Sequence, residues 1–145
     1  MRIMFDADVL MDSIVDREPF TSESVAAIDL CLERGFACCI AAHTITNLYY
    51  ILRKHKSPDE RRDALLGLLS SFTVVGIDAA KLESALLNRD FADFEDCLQH
   101  ECALAFSADY ILTRNAKDYA GSRVPAIGPR ELAGMARARA AGREA

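Results

Sequence analysis

Six acids stand at places where distant parts of the chain can bring carboxylates together: Asp6, Asp8, Asp93, Glu95, Asp96 and Asp118. A hard divalent cation such as Mg²⁺ takes oxygen ligands and offsets the repulsion among carboxylates sharing a pocket. That is the chemistry these residue types would support. Each acid also has a structural reading. Asp8 fits the cap of a following helix, and Asp93 with Asp96 resembles a capping arrangement favoured by the helix dipole. Asp118 fits a surface loop. Asp6 resists such a reading, because it ends the apolar run Ile3-Met4-Phe5, where an unpaired charge would be costly.

The elements that must position these acids alternate between strands and helices. Ile3 to Phe5 reads as a buried strand, and Asp8 to Val15 has helical spacing. Arg17-Glu18-Pro19-Phe20 breaks that pattern. Thr21 or Ser22 then caps a helix to about Glu33, whose apolar face is read from Val25, Ile28 and Leu32. Gly35 stops it, and Phe36 to Ile40 forms a second strand. Thr44 starts a helix that ends at Ser57-Pro58-Asp59, which also opens the next, carrying Leu65, Leu66, Leu68 and Leu69. Phe72 to Ile77 is β-like. Asp78 and Asp93 cap helices to about Asn88 and Phe106, Tyr110 to Thr113 is a strand, and Ala126-Ile127 precedes a final helix from Pro129. This order predicts an α/β domain with a mostly parallel sheet covered on both faces. Ligands in such sheets bind beyond the carboxyl ends of the strands. The rule points to Asp6 and Asp8, to His43 through Asn47, and to Arg114 through Asp118, but not by itself to Asp93, Glu95 and Asp96.

Composition sets outer limits. A chain of 145 residues with 51% hydrophobic and 27% charged residues can bury one substantial core, which argues against disorder. No apolar run is long enough to cross a bilayer, and Asp6 comes too early for a signal peptide, so a cytoplasmic location is expected. The five cysteines include no C-x-x-C pair and read as small buried hydrophobes. The three histidines lack zinc spacing. A net charge of −5 tells against wholesale nucleic-acid binding, yet the basic residues cluster. Arg53, Lys54, Lys56, Arg61 and Arg62 form one group; Arg123, Arg130, Arg137, Arg139 and Arg143 form another. Each group either follows a phosphate backbone or is a solvated helix face. Tyr49 and Tyr50 either stack on bases or belong to a core or dimer interface.

At these residues the chain resembles a known family. Phe5-Asp6-Ala7-Asp8-Val9-Leu10-Met11-Asp12 resembles the opening motif of PIN domains. Thr46-Asn47-Leu48-Tyr49-Tyr50-Ile51-Leu52-Arg53-Lys54 looks like the second, helical motif of a bacterial branch. Asp93-Phe94-Glu95-Asp96-Cys97-Leu98-Gln99 and Ile111-Leu112-Thr113-Arg114-Asn115-Ala116-Lys117-Asp118-Tyr119 resemble the third and fourth. The likeness runs from Arg2 to about Leu132. It implies a three-layer α/β/α PIN-like domain over residues 1–132, with 133–145 an Ala/Arg-rich helix end or tail. It also implies endoribonuclease chemistry like that of VapC-type toxins, using Mg²⁺ or Mn²⁺. Asp6, Asp96 and Asp118 are then catalytic metal ligands. Asp8, Asn47, Asp93, Glu95, Thr113 and Asn115 support them, and Arg53, Lys54 and Arg114 contact RNA. Asp93 and Glu95 keep their capping reading beside this one, and Thr113 its reading as a β-branched strand residue. An RNA substrate, a cognate antitoxin and a homodimer are the implied partners.

The sequence departs from the family pattern at Asp8, where many members have asparagine, and at two positions that lose charge. Asn47 stands where a glutamate is usual and Asn115 where an aspartate is frequent, and asparagine brings no negative charge. Weaker metal binding and low activity are therefore expected, and a domain that binds RNA or protein without cutting is the alternative. A haloacid dehalogenase-type phosphatase fits Asp6-Ala7-Asp8 and Ile111-Leu112-Thr113. It also needs a later acidic pair, which the chain lacks after Thr113.

Overall fold

A computed structural model describes residues 1–144 of the chain. Five strands form its sheet: β1 (Arg2–Phe5), β2 (Ala37–Ala41), β3 (Thr73–Val75), β4 (Tyr110–Leu112) and β5 (Ala126–Ile127). Their order is β3-β2-β1-β4-β5, and every pairing is parallel. Alternation along each strand sends successive side chains to opposite faces. Ile3 and Phe5 of β1, Cys38 and Ile40 of β2 and Leu112 of β4 join one core. Met4, Cys39, Ala41 and Ile111 join the other. Both faces are apolar because both are covered, as a parallel sheet requires.

Helices α1 (Ala7–Ile14), α2 (Phe20–Glu33), α3 (Ala42–Ile51), α4 (Pro58–Ser71) and α7 (Pro129–Glu144) cover the first face. Helix α6 (Phe94–Ala105) covers the second, with α5 (Ala79–Leu87) packed beside it. The result is a three-layer α/β/α domain. The helix α7 continues unbroken past Leu132; Ala145, the last residue of the expected tail, lies outside the described residues. Among the described residues, no helix is long and apolar enough to cross a membrane. All five cysteines are free and buried.

Local chemistry explains most boundaries. Ser57 and Glu60 form a reciprocal capping box at α4, with Pro58 in its first turn. Asp78 and Asp93 cap α5 and α6 by accepting from the amides of Lys81 and Asp96. Gly35, at φ +61°, closes α2 as Phe36 N–H reaches the Cys31 carbonyl.

Several expectations are corrected. Neither Thr21 nor Ser22 caps α2, which begins at Phe20 and contains them both. The Thr21 hydroxyl instead accepts from Arg17 N–H and donates to the Val15 carbonyl, pinning the preceding loop. Helix α3 starts at Ala42 rather than Thr44, which is buried in its first turn. The buried face of α2 is Ser24, Ala27 and Cys31, with Ile28 half-buried, while Val25 and Leu32 are exposed. Small residues there let the helix lie close to its neighbours. In α4, Leu65 and Leu68 are buried and Leu66 and Leu69 exposed.

Candidate functional site

Three neighbouring strands, β2, β1 and β4, deliver their carboxyl ends to one place. Asp6 follows β1 and caps α1, its Oδ1 accepting from Ala7 N–H at 2.7 Å. Thr113 follows β4, is fully buried, and sets its hydroxyl 2.9 Å from Asp6 Oδ2 and 3.2 Å from Asp8 Oδ2. A hydroxyl carries one proton, so it donates to one of these acids at a time. Asp8 Oδ2 also accepts from Arg114 N–H at 3.0 Å and from the Asn115 amide at 2.9 Å. From the other side, Gln99 of α6 donates to Asp6 Oδ1 at 3.4 Å and to the Thr44 hydroxyl at 2.8 Å.

The first turn of α6 adds the next acids. Asp93 is its cap, Asp96 lies half-buried just inside, and exposed Glu95 accepts from the Asn47 amide of α3 at 3.1 Å. Asp118 is exposed on the 3₁₀ turn Ala116–Tyr119 after β4. It stands close enough to Asp6 and Asp96 for its charge to raise the proton affinity of both.

Burial and mutual repulsion dominate the electrostatics. Desolvation, then the charge of Asp6, pushes Asp8 up to about 6. Desolvation followed by Asp6, Asp93, Asp118 and Glu95 pushes Asp96 up to about 7. Asp6 is raised by burial against the opposing pull of the Thr113 hydroxyl. The buried Tyr119 phenol is raised as well, by burial and then by Asp6 and Asp96. These acids repel one another, and the near cation is turned away. Arg114 sends its guanidinium to Asp12, which is 0% exposed, through Nε to Oδ2 and through Nη2 to Oδ1 at 3.3 Å. It lies 4.1 Å over the Phe20 ring. Arg17 reaches the same carboxylate at 3.5 Å.

The residues expected to act together therefore fall into three groups. Asp6, Asp8, Thr113 and Asn115 are joined by hydrogen bonds; Asp96 and Asp118 couple to them through charge. Asn47 and Glu95 bond to each other, and Asp93 serves as the cap of α6. Arg53 and Lys54 lie on the 3₁₀ turn after α3, where the Arg53 guanidinium stacks on Tyr50. Among the described residues, no three His, Cys, Asp or Glu side chains form a ready-made metal cluster. The donor set still fits a hard dication in kind: it is acidic and all oxygen. Asp8 Oδ1 and Gln99 Oε1 are buried without a hydrogen-bond partner. Sequence reasoning gave no role to Asp12, Gln99 and Tyr119, and reached Thr44 only within the stretch His43 through Asn47. Gln99 closes the third motif, and Asp12 the first, but an amide or acid on a helix reads as solvated until its face is known.

The sequence matches the family model described as PIN domain over residues 2–117. Ribonuclease VapC1 of Aquifex aeolicus (strain VF5) is 25% identical over 122 residues, covering 81% of this chain and 84% of that protein. The fold is similar to VapBC2 from Rickettsia felis bound to a promoter DNA fragment, with a TM-score of 0.69 and 17% identity. That likeness covers 88% of this chain and 98% of the other. It is also similar to Mycobacterium tuberculosis VapC20, a toxin that cleaves the sarcin-ricin loop, with a TM-score of 0.61 and 12% identity. There the coverage is 75% and 86%. With acids of the first, third and fourth motifs near the ends of β1 and β4, and the family match spanning most of the chain, this protein belongs to the PIN-domain family.

Proposed function

We propose that this protein is a metal-dependent endoribonuclease and the toxin of a toxin–antitoxin pair. Asp6, Asp96 and Asp118 hold Mg²⁺ or Mn²⁺. The observation that carries the reading is the convergence of acids: Asp118, in the turn after β4, stands near enough to Asp6 after β1 and Asp96 of α6 for its charge to raise the proton affinity of both, with Arg114 turned away to Asp12. Such a site favours a dication over a buried side-chain cation. The metal, when bound, supplies Lewis acidity for hydrolysis of a phosphodiester.

The chain's own residues hold the site in order. Thr113, Ala7 N–H and Gln99 fix the Asp6 carboxylate, while Arg114 N–H and Asn115 fix Asp8. Glu95 and Asp93 frame Asp96. Arg53 and Lys54 contact the RNA strand outside the acids. The antitoxin is a separate protein that covers the site, and the toxin is a homodimer. The solved relatives that include a toxin–antitoxin complex from Klebsiella pneumoniae, 23% identical with a TM-score of 0.63, support that pairing.

A second reading has a specific observation in its favour. Asn47 and Asn115 both donate their amides to acids, and neither adds charge to the site. A domain that binds RNA or protein without cutting follows if the remaining acids hold metal too weakly. Incubating the protein with a mixed RNA pool in Mn²⁺, Mg²⁺ or EDTA separates the readings, with Asp96→Asn as control. Cleavage in Mn²⁺ or Mg²⁺ that EDTA and Asp96→Asn both abolish is expected. Cleavage surviving either one refutes the mechanism, and intact RNA throughout favours the binding module.

A further inference from the structure

Beside the acids lies an open cleft of about 530 Å³, with Phe20, Thr113, Arg114, Ala116, Gly128 and Arg130 among its walls. We propose that it is a subsite for one unpaired nucleotide of the RNA strand, its base held against the Phe20 and Arg114 faces. The inference rests on the reading of the acids as an RNA-hydrolysing centre.

Three observations support it. The first is proximity: the buried Thr113 borders the cleft, and its hydroxyl is bound to Asp6 and Asp8. A strand with a phosphate at the acids has its neighbouring nucleotide within reach of the cleft. The second is shape and surface. The volume is in the range of pockets that hold small organic groups. Phe20 is 39% exposed, a large ring at the start of a helix, with the Arg114 guanidinium stacked 4.1 Å from its centre. Aromatic rings and guanidinium planes are the surfaces on which splayed-out bases stack. The third is charge. Arg114 is committed to Asp12, and Arg130 is bound to Glu23 at 2.6 Å. Both cations of the cleft are already answered, so it offers flat faces to an uncharged planar group and leaves phosphate to the metal site.

Gly128 leaves room at the back. A Cβ there would meet only the Thr113 carbonyl oxygen, at 3.8 Å. Phe20, by contrast, is an exposed aromatic that lines the cleft and belongs to none of the core clusters.

The test measures binding of short single-stranded RNAs to the Asp96→Asn protein in EDTA at low ionic strength, so that the strand stays uncut. Fluorescence anisotropy compares an intact oligonucleotide with a series carrying one abasic position each. One abasic position should weaken binding about tenfold, the scale of one stacked base. Phe20→Ala should remove that preference by stripping the platform. Ala116→Phe should remove it by filling the cleft from its exposed rim, and unchanged melting curves would confirm that both variants fold. Equal affinity for every abasic position overturns the proposal, as does a preference that survives both variants. Absence of RNA binding, with or without binding of an acidic peptide at Phe20, also overturns it. The outcomes separate the two readings. Metal-dependent cleavage without base preference sinks the subsite alone; base preference in a protein that never cuts sinks the nuclease and keeps the subsite.

Discussion

Asn47 donates its side-chain amide to Glu95 at 3.1 Å, tying α3 to the first turn of α6 at the edge of the acidic site. The bond replaces what would be carboxylate repulsion if position 47 were a glutamate. Asn47→Glu should therefore cost the metal-free protein about 1 kcal/mol, the net scale of one hydrogen bond. In Mn²⁺ the added carboxylate should raise affinity, so the melting temperature should rise more on metal addition than in the parent. Differential scanning fluorimetry with and without Mn²⁺ reads both effects. A smaller metal-induced rise in the variant would count against Asn47 facing the metal.

Asp12 is fully buried and receives two guanidinium groups, from Arg114 and Arg17. Removing a buried acceptor leaves charge without a partner, which is far costlier than losing a surface pair. Asp12→Ala should lose about 3 kcal/mol in urea denaturation. Arg17→Ala, at the more exposed partner, should lose less than about 1 kcal/mol. Equal losses would mean that Arg114 is not the principal partner.

Thr113 links β4 to both Asp6 and Asp8 through one hydroxyl, which also accepts from Asn115 N–H at 3.0 Å. Thr113→Val keeps the shape and removes the hydroxyl, leaving the Asn115 N–H and the acids short of a partner. A loss of about 2 kcal/mol is expected. Thr113→Ser keeps the hydroxyl and should retain the metal-induced rise in melting temperature that Val abolishes. Equal behaviour of the two variants would remove Thr113 from the site.

Asp8 and Asp96 carry folded-state values of about 6 and about 7 against an ordinary 3.8. A carboxyl raised by folding holds its proton more tightly in the native state than in the unfolded chain. Stability then falls as pH rises from about 4 to about 7 and levels off above that. The metal-free protein should melt at lower temperature at pH 7.5 than at pH 5. Mn²⁺ should restore most of the difference at pH 7.5 and do little at pH 5, where protons compete for the same oxygens. A melting temperature that rises between pH 5 and 7.5 without metal would contradict this.

The legible parts of the fold were those carried by local chemistry. Ser57-Pro58, Asp78, Asp93 and Gly35 mark their helix ends by side chain or backbone alone, and each does so in the structure. The acids at strand ends were legible because a charge following Ile3-Met4-Phe5 has few cheap explanations. What depended on packing was not. Val25 and Leu32 look like the face of α2, yet Ala27 and Cys31 face inward because close approach favours small side chains. Gln99, 4% exposed and bonded to Thr44, looks in sequence like any polar helix residue. Arg114 reads as a free cation beside a phosphate site until the fold reveals Asp12 beneath it.

The sheet order has a consequence in time. Among the described strands β1 is made before the other four, yet it lies between β2 and β4, and its partner β4 is made only at Tyr110–Leu112. Asp6 cannot acquire the Thr113 hydroxyl, nor Asp8 the Arg114 amide, until that late segment has emerged and paired across a long loop of chain. A polypeptide in mid-synthesis thus carries its acids apart. The acids after β1 gain their partners from β4 only once the segment through Asn115 has been made.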